Sequence, residues 1–125
     1  MMRKVKTENV PLPVGPYSQA IVCDRMVFCS GQLGIEPSTG KLVDTGTVEE
    51  AKQALKNISS ILKAAGTSMD KAVKVTIYMT DLDRFKDVNA IYAESFTENF
   101  PARTTVGVAR LPLGATIEID VVASL

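Results

Sequence analysis

The chain has 125 residues, 46% of them hydrophobic and 22% charged, with 14 Lys and Arg against 14 Asp and Glu. That length suits one domain over residues 1–125, and a formal charge of zero gives no basic excess for a nucleic-acid partner. There is no His, which excludes Ser-His-Asp and Cys-His nucleophile systems and argues against a catalytic zinc site.

Residues 1–10 are mixed and polar, with Val5 and Thr7 compatible with a short edge strand. They hold no apolar run of signal-peptide length, and no stretch could span a membrane, so a cytoplasmic protein is expected. Cys23 and Cys29 sit in apolar runs and are expected reduced and buried. Pro11, Pro13, Gly15 and Pro16 break regular structure ahead of Tyr17. Ala20–Cys23 and Met26–Gln32 form a hairpin about Asp24-Arg25, with Leu33–Ile35 as an extension. Pro37-Ser38-Thr39-Gly40 is a turn, Pro setting φ early and Gly taking the left-handed position.

The next signal is a helix. Thr47 and Glu50 have capping-box spacing. Ala51, Ala54, Leu55, Ile58, Ile61, Leu62 and Ala65 make one face at helical period, Lys52, Gln53, Lys56, Asn57, Ser60 and Lys63 decorate the rest, and Gly66 closes the helix. Ala72–Thr80 alternates at period two, with Val73, Val75, Ile77 and Met79 on the core side. A right-handed crossover through the helix follows if the flanking strands are parallel neighbours. Asp81 and Asp83 offer caps for a second helix to about Asn99, buried through Phe85, Val88, Tyr92 and Phe96 with Ile91 and Ser95. Phe100-Pro101 ends it.

Two strand-like runs close the chain, one carrying Arg103 and the other Glu118, with Leu111–Gly114 as a turn between them. Their simplest arrangement is an antiparallel pair that brings the Arg and the Glu together. The order β-β-β-helix-β-helix-β-β predicts an α+β fold, a mixed sheet with two helices on one face. The other face, with Ser30, Thr76, Tyr78, Thr105 and Glu118, is expected to be covered by further copies of the chain.

Most candidate motifs have ordinary readings. Gly34 to Leu42 misses the phosphate-loop spacing and lacks its Ser or Thr, so it is a turn. Gly31 marks either a bulge or a backbone that a ligand approaches. Tyr17 is a packing lid or closes a pocket over a small ligand. Asn89 is by default a helix-surface contact. The Arg103 guanidinium is a planar fork suited to a carboxylate, which leaves two options: an ion pair with Glu118, or an anionic ligand with Glu118 directing a water.

The chain resembles the Rid (reactive intermediate deaminase, or YjgF) family. The matching pieces are Gly15-Pro16-Tyr17-Ser18-Gln19, Ser30-Gly31-Gln32, Asn57, Val88-Asn89-Ala90, Phe100-Pro101-Ala102-Arg103, Val108-Ala109-Arg110-Leu111-Pro112 and Ile117-Glu118-Ile119. The resemblance implies a chorismate-mutase-like fold and a homotrimer whose sheets form a central barrel, with clefts between subunits. It implies a 2-iminobutanoate/2-iminopropanoate deaminase that hydrolyses imines and enamines to 2-oxo acids and ammonia without metal or cofactor. By position Arg103 binds the substrate carboxylate and Glu118 positions water, while Tyr17, Ser30, Gly31, Asn89 and Thr105 line the cleft. Thr105 departs from the Cys of many relatives. The competing readings are an endoribonuclease or translation inhibitor, and a non-enzymatic trimer that binds small carboxylates.

Overall fold

The computed structural model describes residues 2–125. Six strands form one mixed sheet: β1 (Met2–Val5), β2 (Ala20–Cys23), β3 (Met26–Cys29), β6 (Ala72–Met79), β7 (Ala102–Gly107) and β8 (Ile117–Ser124). Their spatial order is β1-β2-β3-β8-β6-β7. A separate ribbon pairs β4 (Ile35–Glu36) with β5 (Lys41–Leu42), and Gly40 takes the left-handed φ of +72° that its turn requires. The hairpin turn falls at Asp24, also left-handed with φ 54°. The second hairpin strand stops at Cys29 rather than Gln32. The chain leaves the sheet there and touches it again at an isolated bridge between Gln32 and Ile119.

Helices α1 (Thr47–Ala65) and α2 (Phe85–Glu94) pack on one face of the sheet. The apolar stripe of α1 is fully buried at Ile58, Ile61 and Leu62, each contributing roughly 1.5–3 kcal/mol of burial. It packs on β8, and shares one core with Ile117, Ile119 and Val121 of that strand and Val75, Ile77 and Met79 of β6. Val73 was expected on this core side but is exposed, because a register shift between Ala72 and Lys74 turns it outward. Gly66 ends α1 in the left-handed region, its N–H reaching the Leu62 and Lys63 carbonyls.

The start of α1 differs from the capping-box expectation. Gly46 is the cap and Thr47 lies inside the helix. The buried Glu50 carboxylate turns away to β8, accepting the Thr116 N–H at 2.9 Å and its hydroxyl at 2.8 Å. Thr47 donates to the Thr116 hydroxyl at 2.9 Å. A carboxylate that satisfies two groups of the residue just before β8 gives more than one returning to its own helix, since it ties the start of that strand to α1. The second helix also ends early, at Glu94 rather than near Asn99. Asp70 accepts the Thr97 N–H at 2.9 Å and the Thr97 hydroxyl at 2.7 Å, which diverts that N–H from any further helical turn.

The closing strands do not form a hairpin. β6 lies between them, parallel to β7 and antiparallel to β8. The parallel crossover of the fold is therefore β6-α2-β7, not one through α1. The turn region is a 3-10 segment, Pro112–Gly114, with Leu113 and Gly114 both at positive φ. Val108 N–H bonds the Met79 carbonyl and Thr80 N–H bonds the Thr116 carbonyl, so the link passes over the end of β6. Alternation within each strand cannot disclose that a third strand is inserted between two consecutive ones.

Candidate active site

This strand order decides where the two charges go. In the β6–β7 register Arg103 is level with Val75, a core residue, so it lies on the helix-covered face at the free edge of the sheet. In the β6–β8 register Glu118 is level with Tyr78, whose neighbours Ile77 and Met79 are the core residues. Glu118 therefore lies on the open face. The two charges are two strands apart and on opposite sides of the sheet, so an ion pair between them within one chain is excluded.

On the helix side, α2 builds a seat for Arg103. Phe85, Asn89 and Tyr92 follow one another at spacings of four and three, which puts all three on one helix face. The Arg103 guanidinium carbon lies 4.9 Å from the Phe85 ring centre and 4.8 Å from that of Tyr92. Arg103 Nη1 donates to Asn89 Oδ1 at 2.7 Å, so Asn89 is more than a surface contact. Among the described residues no carboxylate lies within ion-pair distance of Arg103. Asn89 and Arg103 line a cavity of about 370 Å³ with Tyr92, Phe100 and Pro101. Thr105 follows on the same strand face, level with Ile77. It does not belong to the open-face set in which the sequence pattern placed it. Its hydroxyl is buried and has no hydrogen-bond partner.

On the open side, Tyr17, Ser30, Gly31 and Glu118 line one cavity of about 530 Å³, with apolar walls from Val14, Leu33, Ile35 and Leu113. Gly31 is here for its lack of a side chain. A Cβ built on it would lie 2.6 Å from Glu118 Oε2 and 2.8 Å from Cδ, so the carboxylate occupies the space any other residue would fill. The neighbours of Gly31 are tied down. Ser30 N–H bonds the Gln19 carbonyl, Gln32 N–H bonds the Ile119 carbonyl, and the Ser30 hydroxyl donates to the Ser18 carbonyl at 2.5 Å. The Gly31 N–H and C=O have no backbone partner among the described residues, so both are available to a ligand. Tyr17 is half exposed at the cavity wall.

Burial pushes the Glu118 carboxyl above the usual range, and the nearby Asp120 carboxylate adds to this. Asp120 itself accepts the Tyr78 hydroxyl at 3.1 Å. The same two causes, burial first and Asp120 second, push the Cys29 thiol up to about 12. Among the described residues no group of three or more His, Cys, Asp or Glu side chains is arranged to hold a metal ion, and no helix is long and apolar enough to cross a membrane.

Two supporting residues went unread as such in the sequence. Gln19 is buried and ties the loop together, donating to the Thr7 and Pro11 carbonyls at 3.0 Å each and accepting the Thr7 N–H at 2.8 Å. Asn57, placed by pattern on the polar side of α1, is buried and donates to the Ile35 carbonyl at 2.9 Å. It thereby holds the segment that walls the Glu118 cavity. An amide at the margin of an apolar stripe was the available signal.

Fold and site together define a two-layer α+β protein with an arginine set against two rings and an amide on one face of the sheet and a carboxylate beside a bare glycine on the other. The family model described as endoribonuclease L-PSP matches residues 7–125. The chain is 50% identical over 121 residues to the 2-iminobutanoate/2-iminopropanoate deaminase of Homo sapiens, covering 97% of this chain and 88% of the human one. It is 51% identical over 124 residues to a RutC family protein of Aquifex aeolicus, covering 98% of each. Among solved structures, the Rid-family protein YyfA of Yersinia pestis superposes with a TM-score of 0.97 at 44% identity over the whole of both chains. The YjgF gene product of E. coli does so at 0.91 with 37% identity over 98% of each. The chain belongs to this family, the Rid or YjgF proteins, as its sequence resemblance implied.

Proposed function

We propose that the chain hydrolyses 2-imino acids to 2-oxo acids and ammonia, in clefts that form where the Arg103 face of one copy meets the Glu118 face of another. The observation that carries this reading is Arg103 itself, a cation set against two rings and an amide with no carboxylate partner among the described residues. Such a group is a binding site for a small carboxylate. The relatives named as deaminases, at about half identity over nearly the full chain, give the reaction. A homotrimer supports the reading in a second way. Phe28 and Val106 are 48% and 36% exposed on the open sheet face, an apolar surface that self-association would cover. The cytoplasm suits two free thiols.

The chemistry follows from the groups. Arg103 takes the substrate carboxylate through its unused N–H groups, and the free backbone groups of Gly31, with those of the edge strand at Thr105, orient the C=N. Glu118, ionised, accepts a proton from a water as its oxygen adds to the imine carbon, giving a carbinolamine. That proton passes to nitrogen to make it an amino group, the carbinolamine hydroxyl proton follows by way of Glu118, the C–N bond breaks, and ammonia leaves as the carbonyl forms. The reaction is easy in water, so positioning and proton handling are what the protein must add. Ser30 and Tyr17 shape the wall without entering the bond changes.

The test is to generate 2-iminobutanoate in situ from threonine with a dehydratase and follow 2-oxobutanoate formation. The wild type is expected to accelerate it. Arg103→Ala is expected to lose about 10²- to 10³-fold in kcat/KM, the loss of a charge-assisted pair. No acceleration across several imino acids, or a fully active Arg103→Ala, would overturn the reading. A ribonuclease has the family description behind it, but the zero net charge offers no electrostatic footprint for RNA.

A further inference from the structure

Arg103 is unusual for a ligand-binding cation in how little holds it. One N–H is bonded, to Asn89, and the rest of the seat is two aromatic faces, those of Phe85 and Tyr92. A surface Arg with one hydrogen bond samples many rotamers, and each costs carboxylate affinity through lost orientation. Two rings at 4.9 and 4.8 Å limit the rotamers open to the guanidinium, which lines the cavity. From these contacts we infer that Phe85 and Tyr92 are positioning residues for substrate binding, an aromatic clamp that pre-aligns Arg103 before the carboxylate arrives. The inference rests on Arg103 being the carboxylate site proposed above.

The two rings are not equivalent. Tyr92 is buried, packs against Phe96 with ring centres 4.9 Å apart and planes tilted by 56°, and its hydroxyl has no hydrogen-bond partner. Its ring therefore does the work and its hydroxyl none. Phe85 is only partly buried and packs at the margin of the core, so its ring can be removed with little loss of fold. A cation over an aromatic face contributes about 0.5–2 kcal/mol, or roughly 2- to 30-fold in an equilibrium. The clamp acts on binding and not on the bond changes, so its loss falls on KM.

The experiment compares Phe85→Leu, Tyr92→Phe and Tyr92→Leu with the wild type, as the oligomer that forms in solution. Three readouts are needed: the Kd of 2-oxobutanoate by calorimetry, the KM and kcat of imine hydrolysis, and the Arg103 Nε–H resonance, which ring currents displace. Expected are a Kd and KM raised roughly 2- to 30-fold in Phe85→Leu with kcat within about twofold, and a Nε–H signal moved toward the free-arginine position. Tyr92→Phe, which keeps the ring, is expected to bind more tightly than Tyr92→Leu, which removes it. A Phe85→Leu variant with unchanged Kd, or a Tyr92→Phe variant as impaired as Tyr92→Leu, would overturn the clamp. Wild type that binds 2-oxobutanoate through Arg103 but accelerates no imine hydrolysis would end the deaminase reading and leave the clamp standing. If the wild type does not bind the carboxylate at all, both fall.

Discussion

Two glycines three residues apart, Gly31 and Gly34, give a direct test of the site. At Gly31 a new Cβ would sit 2.6 Å from Glu118 Oε2, where ordinary contact begins near 3.4 Å. The carboxylate must retreat by roughly 1 Å, a displacement that can cost about 10²-fold in rate when it falls on a reacting group. What moves is the end of a flexible side chain beside an open cavity, so the fold should lose less than about 1 kcal/mol. At Gly34 the new Cβ would sit 2.5 Å from the Glu50 Cα and 2.6 Å from its carbonyl oxygen. That backbone belongs to α1, and Glu50 also anchors Thr116, so nothing can yield locally. About 3 kcal/mol of destabilisation is expected, a fall of roughly 10 °C in Tm at this size. Thermal melts and 2-iminobutanoate turnover on Gly31→Ala and Gly34→Ala separate the two. Gly31→Ala should melt near the wild type with kcat down about 10²-fold. Gly34→Ala should melt early and keep its kcat at temperatures where it is folded. If Gly31→Ala keeps its kcat, Glu118 does not act from where it stands, and the mechanism is wrong.

Glu118 must be ionised to accept a proton, so kcat/KM should rise with pH through its raised pKa. Asp120→Asn removes a neighbouring charge and should shift that limb to lower pH, and a pH–rate profile that does not move refutes the coupling. The same shift has a stability sign. A carboxyl raised on folding favours the folded state below its unfolded pKa, and that contribution is lost as pH rises through the folded value. Glu118→Gln should therefore melt higher than the wild type at neutral pH while losing turnover. Glu50→Ala strands the Thr116 N–H and hydroxyl, and chemical unfolding should show a loss of about 2–4 kcal/mol. Cys29 is buried with its thiol pushed up to about 12. It should resist a thiol reagent in the native protein and react on unfolding, and prompt native labelling would refute its burial.

Periodicity served well where one face of one element decides the outcome. The α1 stripe, the core side of β6 at Val75, Ile77 and Met79, and the buried face of α2 at Val88 and Tyr92 all lie where their spacing puts them. Each follows from local burial, which a single element's pattern records. Glu50 and Asn57 were misread for the opposite reason. Each looks local, a capping partner and a polar-face amide, yet each is spent on a distant strand or loop, at Thr116 and at Ile35. A polar side chain carries no mark of the partner it will find once the chain has folded.

Strand order is the other thing the pattern leaves out, and here it changes the chemistry. Two consecutive strands read as a hairpin put Arg103 and Glu118 side by side, and an ion pair then becomes the natural use of both. Inserting β6 between them moves the charges to opposite faces. Neither can neutralise the other, and on the proposed reading each face of one copy then keeps half of what a carboxylate-bearing imine needs. Arg103 is seated against α2 without a counter-ion, and Glu118 is pressed against Gly31, partly desolvated and reluctant to ionise. The desolvated Glu118 carboxyl costs stability in an isolated chain where it is ionised. A neighbouring copy that brings the opposite half-site, or a substrate that brings a carboxylate, gives each group the partner it lacks. On this argument assembly and catalysis draw on the same two residues, and a change that lets Arg103 and Glu118 pair within one chain would weaken both together.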